Sequence, residues 1–155
     1  MKRRAFLALA VSGAVVTLTG CSSSGGSMDG EGAGAGAYGY DDASLQARID
    51  SKTVYFDFDS SNIRAEDYPV LDAHASNLAS SGKPVVIEGH CDERGTREYN
   101  LALGERRANT VRRYLMSRGV SSSQIEVLSY GEERPADYGH NESAWSKNRR
   151  AYLDY

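Results

Sequence analysis

From residue 53 onward, apolar and polar positions follow two alternating periods. In Thr53–Asp59 (TVYFDFD), Val54, Phe56 and Phe58 alternate with Tyr55, Asp57 and Asp59, the period of a strand with one face buried. After a turn at Ile63, Val70, Leu71, His74, Ala75 and Leu78 recur at helical spacing, and Gly82 marks the stop. Pro84 opens a short buried-looking strand over 85–87 that runs into Gly89-His90-Cys91-Asp92. The longest periodic segment predicts a helix from about Tyr99 to Arg118, closed by Gly119. A strand over 124–130 follows, ending in a turn at Gly131. A short helix begins near Asn141, and a last strand covers 150–155. Strands alternating with helices predict a two-layer α/β domain. Its helices would pack on a mostly parallel or mixed sheet of about four strands.

The first 44 residues have another character. Residues 1–20 read as a basic start (MKRR), an apolar run of about a dozen residues and a small-residue exit, the anatomy of a secretory signal. The run falls short of the roughly 20 residues that a membrane-spanning helix needs. The exit, Leu18-Thr19-Gly20-Cys21, resembles the lipobox of bacterial lipoproteins, whose cysteine is lipidated and becomes the first residue of the mature chain. The alternative is an ordinary signal peptide with Cys21 incidental. By the same resemblance, Ser22 after the cysteine implies sorting to the outer membrane. Residues 21–44 are then a lipidated cysteine and a Gly/Ser/Ala linker, too poor in large apolar side chains to fold and spanning about 25 Å on average. Residues 45–155 form the single folded domain.

Charge narrows the partners. Loss of Lys2, Arg3 and Arg4 with the signal takes the formal charge from -3 to -6, which argues against nucleic acid as a partner. Cys21 and Cys91 are the two cysteines, so lipidation of the first leaves the second without an intramolecular disulfide. Cys91 reads as a small, partly buried thiol, with an intermolecular disulfide as the alternative.

The stretch EGHCDERGTREYNLALGERRANTVRRYL (88–115) joins an acidic turn to an arginine-rich helix. On a helical wheel Leu101, Gly104, Ala108, Val111 and Leu115 form the apolar stripe, while Arg106 and Arg113 face solvent. Arg107 falls at the border with Asn100, Leu103 and Tyr114. There its stem can lie on apolar surface while its fork stays available, or it can tie helix to sheet as a structural ion pair. Ligands of α/β sheets gather beyond the carboxyl ends of strands. If the first two strands are neighbours, Asp59, Asp92 and Arg107 meet in one shallow site, suited to a ligand carrying both an ammonium and a carboxylate. A catalytic reading has less to stand on. His90 and Cys91 are adjacent in an extended segment and point apart, and neither a G-x-S-x-G nor an H-E-x-x-H motif is present. A calcium or magnesium site from Asp57, Asp59, His90 and Asp92 would make a periplasmic metal-dependent cell-wall hydrolase, the alternative function.

The segments VYFDFDSSNI, GHCDERGTREYNLALGERRA and SYGEERP...SKNRRAYLDY closely resemble the OmpA-like C-terminal domain family, specifically its peptidoglycan-associated lipoproteins. The resemblance covers residues 53–155 together with the lipobox and linker. It implies an OmpA-like fold and a non-enzymatic protein without cofactor, lipid-anchored at Cys21 to the periplasmic face of the outer membrane. Its implied ligand is the meso-diaminopimelate of peptidoglycan stem peptides. Its implied partner is a TolB-like periplasmic protein of the Tol complex, which acts in cell division and envelope integrity. Carried over by motif, the pocket comprises Phe58 and Asp59 from FDFD, Asp92 from GHCD, Asn100 and Leu103 from YNLAL, and Arg107 from ERRA. Asp92 would receive the ammonium and Arg107 the carboxylate; Phe58 and Leu103 would pack the aliphatic stem, and Asn100 would support the loop. Arg97 stands where many members carry proline, a departure that would loosen the loop.

Overall fold

The computed structural model describes residues 42–155. The expected signal segment 1–20, the lipidation site Cys21 and the linker as far as residue 41 lie outside the described residues. The chain runs α1 (Asp42–Asp50), β1 (Thr53–Tyr55), α2 (Tyr68–Ser81), β2 (Val85–His90), α3 (Arg97–Ser117), β3 (Ile125–Gly131), α4 (Glu142–Asn148) and β4 (Arg150–Asp154). Helix α1 takes up residues 42–44 of the segment expected as linker. Its sequence, DASLQARID, holds only Leu45 and Ile49 as large apolar residues, too faint a period to announce a helix.

The strands form one mixed sheet in the order β1-β4-β2-β3. β4 is antiparallel to both of its neighbours, and β2 is parallel to β3. β1, β2 and β3 therefore run in one direction, with β4 against them. The two strands expected side by side, β1 and β2, are separated by β4. They still leave the sheet at the same edge, and β4 enters at that edge.

Helices α2 and α3 share the main core with the sheet: Leu71, Leu78, Ala108, Val111 and Leu115 meet Val54, Phe56, Ile87 and Leu153, all without exposed surface. Each such aliphatic or aromatic side chain contributes about 1.5–3 kcal/mol on burial. The Gly82 N–H closes the last turn of α2 on the Leu78 carbonyl, and the left-handed φ of 66° at Gly82 turns the chain out of the helix. Thr96 caps α3 by accepting from the Tyr99 N–H at 3.2 Å, and Asn141 caps α4 from the Ala144 N–H at 3.1 Å. Helix α3 comes so near β2 that a Cβ on Gly89 would lie 1.9 Å from the Gly104 carbonyl oxygen. This glycine-on-glycine contact fixes the height of α3 above the edge where the site forms.

Two sequence expectations are corrected here. Phe58 does not continue the buried alternation: β1 ends at Tyr55, the chain turns through Asp57–Asp59, and Phe58 is 57% exposed. The buried face of α3 is also rotated in its first turns. Leu101 is 40% exposed, whereas Asn100, Leu103 and Arg107 are buried with Gly104, Ala108, Val111 and Leu115. The reason is that the N-terminal turns of α3 lie beneath the loops that follow β1 and β2, not above the middle of the sheet. Arg106 and Arg113 are exposed, as the wheel predicts.

Candidate functional site

Three chain segments meet at the shared sheet edge. After β1 the Phe56 N–H bonds to the Arg149 carbonyl at 2.9 Å, and the turn brings Asp59 to a φ of 53°. That left-handed conformation is uncommon outside glycine, and here it aims the Asp59 side chain at Tyr99, whose hydroxyl donates to Oδ1. After β2, the Cys91 N–H bonds to the Gly131 carbonyl at 2.8 Å and the chain buries Asp92. The third segment is the residue pair ahead of β4, Asn148 and Arg149, both buried.

Arg107 reaches up into this junction from α3. It is 1% exposed, not a border residue with a free fork. Its Nε donates to the Ser60 carbonyl at 2.8 Å, and its Nη1 to the His90 carbonyl at 2.8 Å and Cys91 Sγ at 3.3 Å. Nη2 donates to the Asp57 carbonyl at 3.1 Å. Four of the five guanidinium hydrogens are thus spent on the loops after β1 and β2, leaving one on Nη2. Arg107 ties helix to sheet through carbonyls, not through the ion pair weighed from the sequence. Burial pushes its pKa below the ordinary guanidinium range, an effect that Cys91 and Asp92 oppose.

Asp92 is clamped by two arginines. Arg94 donates to it from Nη2 at 2.7 Å and from its backbone N–H at 3.1 Å, and Arg149 donates from Nη1 at 3.2 Å. Burial by itself would raise the Asp92 carboxyl, but these hydrogen bonds outweigh it and hold the group below the usual carboxylate range. Arg149 is fixed in turn by the Phe56 carbonyl at 3.1 Å and by Glu142 at 2.5 Å. The Asn100 amide donates to the Asp92 carbonyl at 3.1 Å and to Glu132 at 2.5 Å, so it supports the loop around Asp92.

These groups line one cleft of about 200 Å³. All six residues singled out from the sequence, Phe58, Asp59, Asp92, Asn100, Leu103 and Arg107, border it. Five more join them: Cys91, Arg94, Gly95, Tyr99 and Arg149. Arg94 was legible as the first cation after Asp92 in DERG. Arg149 was not, because only the reversed direction of β4 brings the residue before that strand to this edge.

The catalytic alternatives do not assemble. The His90 ring stacks on Tyr130 with centroids 5.4 Å apart, and burial pushes its pKa down to about 3. Cys91 donates to the Asn100 carbonyl at 3.2 Å and lies beside Arg107; burial pushes its thiol up to about 11, so it stays protonated. Cys91 is fully rather than partly buried. Of the carboxylates nominated for a metal, Asp57 turns outward to Arg64 at 2.8 Å. Among the described residues, no group of three or more His, Cys, Asp or Glu side chains is placed to hold a metal ion.

Comparison with known proteins agrees with this architecture. The model of the OmpA family matches residues 55–149. The peptidoglycan-associated lipoprotein of Pseudomonas aeruginosa is 48% identical over 96% of this chain and 94% of its own length. That of Pasteurella multocida is 51% identical over 95% of both. The chain belongs to the OmpA family, in the branch of the peptidoglycan-associated lipoproteins. The crystal structure of the Burkholderia pseudomallei peptidoglycan-associated lipoprotein superposes with a TM-score of 0.68 at 46% identity, covering 70% of this chain and 92% of that one.

Proposed function

We propose that this protein is a non-enzymatic tether between the outer membrane and the cell wall, and that the cleft binds the diaminopimelate of peptidoglycan stem peptides. One observation carries the reading: a buried carboxylate, a buried guanidinium and an apolar rim border the same small cleft. A carbon bearing both an ammonium and a carboxylate matches the two charges, and Phe58 and Leu103 offer apolar surface to its aliphatic stem. Asp92 receives the ammonium, with Asp59 as a second acceptor. Arg107 meets the carboxylate with its charge and its one uncommitted N–H, so the interaction is single-pronged rather than bidentate. Asn100 acts by holding the Asp92 loop. The names of the relatives support peptidoglycan as the partner. Lipidation at Cys21, the outer-membrane location and a TolB-like partner in the Tol complex complete the proposal.

The test is calorimetric titration of the protein with stem peptides ending in diaminopimelate or in lysine, with and without EDTA. Lysine keeps the amine and lacks the acid, so the buried Arg107 donor goes unmet, and binding should weaken about five- to 150-fold, the range of a penalty of roughly 1–3 kcal/mol. EDTA should change nothing. Equal affinity for the two peptides would overturn the zwitterion reading.

A further inference from the structure

We propose that Arg94 is a built-in competitor for the cleft: its guanidinium occupies the place of the ligand's cation and must be exchanged for it. The inference rests on the assignment of the cleft to a zwitterionic ligand.

The two arginines on Asp92 differ in kind. The Arg149 side chain is 5% exposed and is also held by Phe56 and Glu142, so it belongs to the frame. The Arg94 side chain is 30% exposed and borders the cleft. Its guanidinium lies between two ring faces, 4.1 Å from the Phe58 centroid and 4.2 Å from that of Trp145. The Trp145 indole N–H donates to Glu93 at 2.8 Å, which fixes that wall of the slot. Beyond Asp92, the nearest anion for the Arg94 head is Glu142 at 3.5 Å.

Asp92 has little capacity to spare. Its Oδ1 accepts from the Arg94 N–H and Nε, at 3.1 and 3.3 Å, and its Oδ2 accepts from Arg94 Nη2 and Arg149 Nη1. A carboxylate oxygen offers about two lone-pair sites, so these four contacts fill the group. An incoming ammonium gains Asp92 by displacing the Arg94 side chain, while the backbone N–H and Arg149 stay. The exchange leaves the buried carboxylate with two cationic partners before and after. A ligand without a cation would strand it with one, so the exchange selects for the ammonium. Arg94 released from Asp92 keeps Glu142 within reach. Apparent affinity is then the intrinsic affinity multiplied by the fraction of molecules in which Arg94 is already away.

The experiment titrates the full chain in detergent with the tripeptide L-Ala-D-Glu-diaminopimelate. Arg94→Met keeps the stem and removes the competing head, and should bind about tenfold tighter than the parent, the scale of a partly exposed ion pair with ring contacts. Trp145→Leu, which opens the slot without touching Asp92, should tighten binding in the same direction. The double variant should bind no better than Arg94→Met. In the parent, titration should move the Arg94 Nε–H resonance toward that of a solvated arginine and leave that of Arg149 in place. If the parent binds and Arg94→Met binds equally or more weakly, Arg94 is a ligand contact and the proposal fails while the cleft assignment stands. If neither binds, the cleft assignment fails and the competitor with it.

Discussion

Replacing Arg107 by alanine separates what this residue does for the fold from what it does for a ligand. The side chain gives hydrogen bonds to the carbonyls of Asp57, Ser60 and His90 and to the Cys91 sulfur. It also lies 5.2 Å from the Phe56 ring centroid. Truncation deprives all four acceptors of their donor at once. Each would cost roughly 1–3 kcal/mol on its own, and because they share one donor group the sum is not reached. Removing a desolvated charge offsets part of the loss, so we expect a net destabilisation of about 4 kcal/mol. For a domain of this size that lowers the melting temperature by about 15 °C. Arg107→Lys keeps the charge and can satisfy one or two of the carbonyls, so it should recover about half of the shift. The assay is urea and thermal unfolding followed by circular dichroism, with ligand titration at a temperature where every variant is folded. Arg107→Ala should lose binding even when folded; Arg107→Lys should retain part of it. A melting point for Arg107→Ala within about 3 °C of the parent, less than 1 kcal/mol corresponds to, would refute the account of Arg107 as the stitch between the two loops.

Three further outcomes follow from the same geometry, and a fourth from the proposed lipidation. Asp92→Asn keeps the shape but leaves the buried Arg149 partly uncompensated, so calorimetry should show binding weakened at least thirtyfold, the scale of breaking a desolvated charge pair, and full retention would sink the ammonium site. Gly104→Ala places a Cβ 2.4 Å from Ser129 Oγ and 2.9 Å from the Gly89 carbonyl oxygen; α3 must lift, and denaturant midpoints should report a loss of about 1–3 kcal/mol. His90 binds a proton in the unfolded chain near 6.5 but in the fold only near 3; stability therefore falls as pH drops through that window, by up to about 1.4 kcal/mol per unit from this group alone, and unfolding at pH 7 and pH 5 should show a flatter dependence for His90→Phe. Cys21→Ser should leave the domain's unfolding unchanged and release the protein from the outer-membrane fraction; firm retention there would refute the lipid anchor.

Much of the fold was legible because its elements carry clean periods. The stretch from Val70 to Leu78 reads as a helix face, and Leu71, His74, Ala75 and Leu78 are buried on it. Where the period broke down, the reading did too. Phe58 sits in phase with Val54 and Phe56, yet a left-handed turn at Asp59 ends the alternation and puts the ring on the rim. No composition rule announces a non-glycine residue in that conformation. On α3 the wheel ranks Leu101 above Arg107 because it scores side chains by polarity, whereas the structure ranks them by what lies overhead. Three backbone carbonyls lie over Arg107, and a guanidinium is the side chain that can meet several acceptors at once. A charged residue was buried because the loops needed donors, a demand invisible to any hydrophobic pattern.

The direction of β4 explains why the site is richer than its sequence motifs. With β1, β2 and β3 all leaving the sheet at one edge, that edge would collect strand ends and the loops that follow them, which is how Asp59 and Asp92 come together. Threading β4 between β1 and β2 in the opposite sense adds the start of a strand to the same place. Arg149, the residue before β4, thereby becomes the interior counterion of Asp92, 3.2 Å away and 57 positions later in the chain. Arg149 stays on Asp92 whichever cation fills the second position, Arg94 or a ligand, so the buried carboxylate is never without a partner. A β4 built parallel would have carried Arg149 to the far end of the sheet. The exchangeable site therefore depends on sheet topology as much as on the DERG and ERRA segments that frame it.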